Sequence, residues 1–358
     1  MFENEDGIDA FELFGKYGAQ ANAFTSFDKT AYLFSSTDHF YDSLEILLNF
    51  VTHPYFTPET VAKEQGIIGQ EIAMTSDNPD NSLLFGLLGA MYKTHNVRIE
   101  IGGSEESIKK ITAPLLYKCY EMFYNLRNMV LCISGDCDID KILGICDRVL
   151  KEAPEFDVEI EALPESAEVY KKTFTKRMLV PTPMFAIGIK DIEISTDGHA
   201  RMRKRAAMQI ISDILFGSSG EFYYKHYEDG SLTDGLDVWG EHNRSFSLIT
   251  ISGRGPDPEA LFADYRELID RTKRNGLPRD DFERCKKLNY SAFIRAFNST
   301  SSIAYNIVDF VLDDADMLGY ADVVGSLEYE EVNSIFNKVF REEYTSYATV
   351  LPLESEEG

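Results

Sequence analysis

Apolar residues recur at helical spacing along Val61-Ala-Lys-Glu64-Gln-Gly-Ile67-Ile68-Gly-Gln-Glu71-Ile72. At about 100° per residue, Val61, Ile68 and Ile72 form one stripe, Ile67 lies further round, and Glu64 and Glu71 fall between them. Thr57 is the expected N-cap and Pro58 the first helical residue. Gly66 and Gly69 each weaken the helix by about 1 kcal/mol relative to Ala, and are expected to admit another backbone. The bland reading is a helix edge with two solvated glutamates. The apolar bracketing favours a sharper one, in which two acids sit at a core face and require a cation, a metal or a hydrogen-bond donor opposite them.

The pattern elsewhere repeats. Thr30-Ala-Tyr-Leu-Phe-Ser36 predicts a strand, Tyr41 to Val51 an amphipathic helix, and Phe56-Thr-Pro58 opens the glutamate helix. Much later, Ser245 to Ile251 predicts a strand, Glu259 to Lys273 a helix, and Leu277-Pro278 opens another. A helix over Leu115–Phe123 leads to a predicted strand, Met129-Val-Leu-Cys-Ile133, as Val332–Phe340 leads to Tyr347–Leu351. The same α+β unit therefore occurs twice. Ala153 to Ser166 is acidic, bears prolines and lacks helical period, so it reads as a linker. The expected domains are residues 1–152 and 168–358, joined by 153–167.

The copies differ at their starts. Ahead of its strand the second has apolar strands within Val169–Ile192, a helix over Ala200–Phe216, and Glu221 to Tyr227. Matched strand to strand, Met1 falls near Leu215, so the first copy is expected to lack roughly 50 residues, two strands and a helix, at its N-terminus. Such a unit should expose an apolar patch.

Charge narrows the partners. With 60 acidic against 35 basic residues the formal charge is -25, which disfavours nucleic acid or an anionic membrane and suits a basic peptide. The five cysteines (Cys119, Cys132, Cys137, Cys146, Cys285) show no C-x-x-C pairing. The first residues are the reverse of a basic signal peptide, and no apolar run approaches a membrane span. A cytoplasmic protein with reduced thiols is expected. Gly217-Ser-Ser-Gly220 reads as a helix end and turn, and Trp239 as core.

Three segments together resemble the pitrilysin/insulinase family of zinc metallopeptidases. They are Gly18-Ala-Gln-Ala-Asn22-Ala23-Phe24-Thr25-Ser26, the helix with Glu64 and Glu71, and Tyr124-Asn-Leu-Arg-Asn-Met129-Val with Ser134-Gly135-Asp136. The likeness covers nearly the whole chain and is nearest to the bacterial two-domain, peptidase-like proteins associated with elongation factor P modification. It implies an α+β fold of two related domains, each a mainly antiparallel sheet packed with helices, forming half of a peptide-enclosing clamshell. It also implies an inverted His-x-x-Glu-His motif, whose histidines bind zinc and whose glutamate activates water. Glu71 then matches the third zinc ligand, and Glu64 an accessory acid bordering the metal. Asn22, Ala23, Phe24 and Thr25 match an edge strand on which substrates add as an extra β-strand.

The motif itself is absent: none of His39, His53, His95, His199, His226 and His242 lies in His-x-x-Glu-His. A catalytic zinc needs three protein ligands and an open position, so the chain is expected to bind no zinc and to be inactive, although its intact parent would hydrolyse peptides. The substrate-contacting arginine and tyrosine of many active members have no evident counterpart in Tyr227 to Asp234. Two readings stand: an N-terminally truncated zinc peptidase, or a non-catalytic subunit pairing as a homo- or heterodimer with a homologous peptidase-like chain. Retention of Glu64 and Glu71 favours the first; the departure at 227–234 favours the second.

Overall fold

Side-chain caps open several of the helices in the computed structural model, which describes residues 7–156 and 164–354. Asp9 accepts from the Phe11 amide and opens α1 (Ala10–Lys16). The hairpin β1 (Gln20–Thr25) and β2 (Thr30–Ser35) follows, then α2 (Phe40–Thr52) and α3 (Pro58–Ser76). α3 starts as expected: the Thr60 amide donates to Thr57 Oγ1 at 3.1 Å, ahead of Pro58. Asn78 caps α4 (Pro79–Met91). The chain continues through α5 (Glu105–Ile108), α6 (Ala113–Phe123) and α7 (Ile139–Val149). Beyond the linker come β3 (Thr173–Met178), β4 (Met184–Asp191), α8 (Gly198–Phe216) and α9 (Glu221–Glu228). Then follow β5 (Asp237–His242), β6 (Ser247–Arg254), α10 (Pro258–Asn275), α11 (Arg279–Ala296) and α12 (Thr300–Leu312). α13 (Tyr320–Ser326), α14 (Tyr329–Val339) and β7 (Thr345–Pro352) end it. Among the described residues no helix is long and apolar enough to cross a membrane.

Two compact units emerge. The second, Thr75–Ile99 with Ala162–Gly358, is built on a five-stranded sheet ordered β3-β7-β4-β6-β5, antiparallel except for β3 beside β7. Central β4 is buried along its whole length. Its Phe185, Ile187 and Ile189 point into a core shared with Ile210, Ile214, Phe262 and Phe336, so the alternate position Gly188 faces the other side of the sheet. There α4 packs across β3, β4 and β7. A Cβ on Gly188 would lie 2.3 Å from Met91 Sδ and 3.1 Å from Leu87, and one on Gly86 would lie 2.1 Å from the Phe174 ring of β3. Only glycine at both positions lets helix and sheet meet this closely.

This packing redraws the sequence boundary. Residues 75–99, read above as part of 1–152, group with the second unit, because Leu83, Leu87, Leu88, Ala90 and Met91 of α4 are buried there. Of the linker assigned to 153–167, residues 157–163 lie outside the described residues.

The first unit, Met1–Met74 with Glu100–Glu161, has a small core of Leu44, Leu48, Ile142 and Ile145, against which Phe34, Tyr41 and Ile133 pack. Its sheet is the β1–β2 hairpin alone among the described residues. The strand expected over Met129–Ile133 does not form. Its counterpart β7 is hydrogen-bonded on both sides, by β3 and β4, and the described part of the first unit supplies no such neighbours. A strand is a property of a pair, so the same pattern joins no ladder here, with Val130 37% and Leu131 44% exposed.

Substituting Gly188→Ala should destabilise the protein by about 1–3 kcal/mol through overpacking against Leu87 and Met91. Urea unfolding followed by circular dichroism measures this, and an unchanged midpoint would show that α4 can lift off the sheet at no cost.

Candidate functional site

The two acids singled out by the sequence do sit on one helix face. On α3, residues seven apart lie two turns and about 10 Å apart along the axis. Val61 and Ile72 are buried and Glu64 is half-buried, but Glu71 is exposed and Ile67 is 51% exposed. The expectation of two acids held at a core face is therefore corrected: only a narrow stripe of α3 is packed, and Glu71 faces outward from it. Nor do the helix glycines admit a backbone. Among the described residues nothing lies within 4 Å of a Cβ built on Gly66, and Gly69 meets only the Ile108 side chain at 3.8 Å. α3 is tied instead by Gln65, whose Nε2 donates to the carbonyls of Ile108 and Ile111 at 2.9 and 2.8 Å.

β1 pairs with β2 alone among the described residues, with Asn22 opposite Leu33, Ala23 opposite Tyr32, Phe24 opposite Ala31 and Thr25 opposite Thr30. Asn22, Phe24 and Thr25 are exposed and Ala23 is half-buried. The Ala23 amide donates to Asn22 Oδ1 at 2.8 Å. A two-stranded sheet leaves alternate N–H and C=O groups of each strand directed away from its partner, which is what an added strand requires.

The donor set does not fit a catalytic zinc. Among the described residues there is no group of three His, Cys, Asp or Glu that could hold a metal ion. The histidines of the first unit serve α2: His39 precedes it, 3.3 Å from Asp42, and His53 follows it, bonded through Nδ1 to Asn49 O at 3.1 Å. No catalytic step through a metal can be built on these side chains alone.

A second polar arrangement, unheralded by any motif, closes one end of the five-stranded sheet. Asp191, Ser247 and His242 are register partners on β4, β6 and β5. Ser247 Oγ donates to Asp191 Oδ2 at 2.9 Å, and His242 Nδ1 is 2.7 Å from Ser247 Oγ. Lys204 Nζ donates to Asp191 Oδ1 at 2.7 Å. Because the carboxylate can only accept, the serine proton is committed to it, which makes His242 Nδ1–H the donor to Ser247. This is not a nucleophilic triad: the acid holds the serine rather than the histidine, and Ser247 is only 5% exposed. The rung instead locks the register of three strands. Burial, and then the charges of Arg205 and Lys204, push His242 down to about 3.

Two units, each of helices packed with a sheet, define an α+β protein. Comparison with known proteins makes the assignment specific. The profile of insulinase (peptidase family M16) matches residues 3–105, and that of the peptidase M16 inactive domain matches residues 110–289. The chain is 36% identical over 357 residues to the uncharacterized zinc protease YmfH of Bacillus subtilis, spanning 98% of this chain and 82% of that protein. The crystal structure of an M16-like peptidase from Alicyclobacillus acidocaldarius superposes with a TM-score of 0.94 at 30% identity, covering 98% of this chain and 84% of the other. A protease from Helicobacter pylori shares the fold, with a TM-score of 0.81 at 18% identity over 96% of this chain and 85% of the other. The chain belongs to the insulinase family of zinc metallopeptidases, as the sequence resemblance implied.

Acid should loosen the second unit. His242 is lowered from 6.5 to about 3, and burial also lowers His95 and His226. These groups bind protons more weakly folded than unfolded, so their stabilising contribution is complete above pH 6.5 and is lost as pH falls below it, for His242 down toward 3. Thermal midpoints measured from pH 7.5 to 4 should decline, and His242→Gln should flatten the slope; an equally steep profile in that variant would remove His242 as a cause.

Proposed function

We propose that this chain is the substrate-holding part of a zinc peptidase and hydrolyses nothing by itself. Peptide or protein substrates add along β1 at Asn22–Thr25, and Glu71 contributes one zinc ligand, with Glu64 beside it, only when a His-x-x-Glu-His helix is supplied from outside residues 1–358. The observation that carries this reading is the donor set: two carboxylates on α3, and no third His, Cys, Asp or Glu grouped with them among the described residues. Neither the lowered water pKa nor the Lewis acidity that zinc provides can arise from such a set.

Two sources of the missing helix follow. Retention of both Glu64 and Glu71 favours a longer form of this same polypeptide, because a subunit with no metal chemistry has no need of the pair. The absence of an evident arginine and tyrosine pair in Tyr227 to Asp234 favours the other, a homologous peptidase-like subunit that shares the substrate. The charge of -25 supports basic peptides as ligands. The five free cysteines support a reducing, cytoplasmic setting.

The test has two arms. Purified chain incubated with zinc and dialysed should retain no stoichiometric metal and should not cleave a fluorogenic peptide library; turnover abolished by Glu71→Gln would refute the reading. A fluorescent, lysine-containing extended peptide should bind, and Ala23→Pro, which removes an edge-strand donor, should weaken it about tenfold. Undiminished binding to that variant would take the substrate off β1.

A further inference from the structure

After α4 the chain turns through Lys93, Thr94 and His95, and three successive backbone amides converge on one carboxylate. Glu165 Oε1 accepts from the Lys93 amide at 3.1 Å, and Oε2 accepts from the amides of Thr94 at 2.7 Å and His95 at 2.9 Å. Thr94 Oγ1 stands 2.9 Å from Oε2 and 2.6 Å from the Pro164 carbonyl, and can donate to one of them at a time. Lys190 Nζ donates to Oε1 at 3.2 Å and to the Ser166 carbonyl at 2.6 Å, and lies 4.5 Å over the Tyr92 ring. The Lys190 and Glu165 side chains are only 5% and 13% exposed. Burial opposes ionisation of Glu165, but the three amides and the Thr94 hydroxyl outweigh it and hold the carboxyl at about 2.

This is more than a surface ion pair. Consecutive amides in a turn form an anion-binding concavity, and here a buried ammonium completes it. The receptor is shaped for two oxygens and one negative charge, the chemistry of a carboxylate. Its floor belongs to residues 75–99 and its occupant to the segment leading into β3, so the bound group fastens two parts of the second unit that lie some 70 positions apart. The backbone continues the join, with the amides of Tyr170 and Lys171 donating to the carbonyls of Met91 and Ala90 at 3.2 and 2.8 Å.

We propose that the amides of Lys93, Thr94 and His95 with the Lys190 ammonium form a carboxylate-binding site whose resident ligand is the Glu165 side chain, and that a small free carboxylate occupies it when that side chain is removed. The site acts as a clasp, and its strength depends on an ionised carboxylate rather than on the covalent linker.

Acetate is the probe, with chloride at equal ionic strength as control, on the full chain. Glu165→Ala should lower the melting temperature, and 100 mM acetate should recover roughly 3 °C or more in that variant but under a third of that in the unsubstituted protein. Adding Lys190→Met to Glu165→Ala should abolish the difference. Equal acetate responses in the unsubstituted and Glu165→Ala proteins would overturn the proposal. Should Glu165→Ala fail to fold, Glu165→Gln keeps the shape and removes the charge: hydrogen exchange at residues 93–95 should quicken about tenfold, and unchanged exchange there would equally overturn it.

Discussion

The second unit depends on the close approach of α4 to its sheet. A helix laid across β3, β7 and β4 must bring its side chains into the sheet's own van der Waals surface, and glycine at positions 86 and 188 creates the room. Everything that holds α4 follows from that contact. Arg254 clamps its start through both oxygens of Asp80, at 3.0 and 3.1 Å, and the Glu165 carboxylate receives the turn just past its end. The large apolar payload of α4 does the stabilising; the polar contacts at its two ends fix where it lies.

The first unit shows the converse. Its segment Met129–Ile133 has the composition and spacing of a strand, yet among the described residues it has no strand partner on either side, and Val130 and Leu131 are exposed while Ile133 packs on the small core. Strand formation is decided by neighbours, whereas helix formation is largely local: α2, α3 and α10 appear where periodicity or a capping residue predicts them. That difference explains why the repeat was legible as a succession of elements and misleading as a succession of sheets. It also explains the glutamate helix. With only Val61 and Ile72 buried on it, the stripe that periodicity predicts is present in the residues but only partly used in packing.

The site divides along the same line. The candidates Glu64, Glu71 and Asn22–Thr25 each lie within one short segment, so a family resemblance can single them out from sequence. The Asp191–Ser247–His242 rung and the Glu165 receptor were not legible there, because each joins residues that only strand register or a distant turn brings together. Nothing in the neighbourhood of His242 or Glu165 distinguishes them from other polar residues of an acidic chain.

By itself the sequence determined the α+β class, the succession of elements read as a repeat, the places of α2, α3, α6, α8, α10 and α14, the family, and the absence of a His-x-x-Glu-His motif among its 358 residues. The class and the helices rest on periodicity and capping, and the family on the resemblance of short motifs, all of which the chain carries wherever it is placed. Only the tertiary structure decided that residues 75–99 pack with the second unit, that Glu71 faces outward, and that Glu165 is seated on three amides. Those outcomes depend on which surfaces have a neighbour to bury against, and a neighbour is not a property of any segment alone.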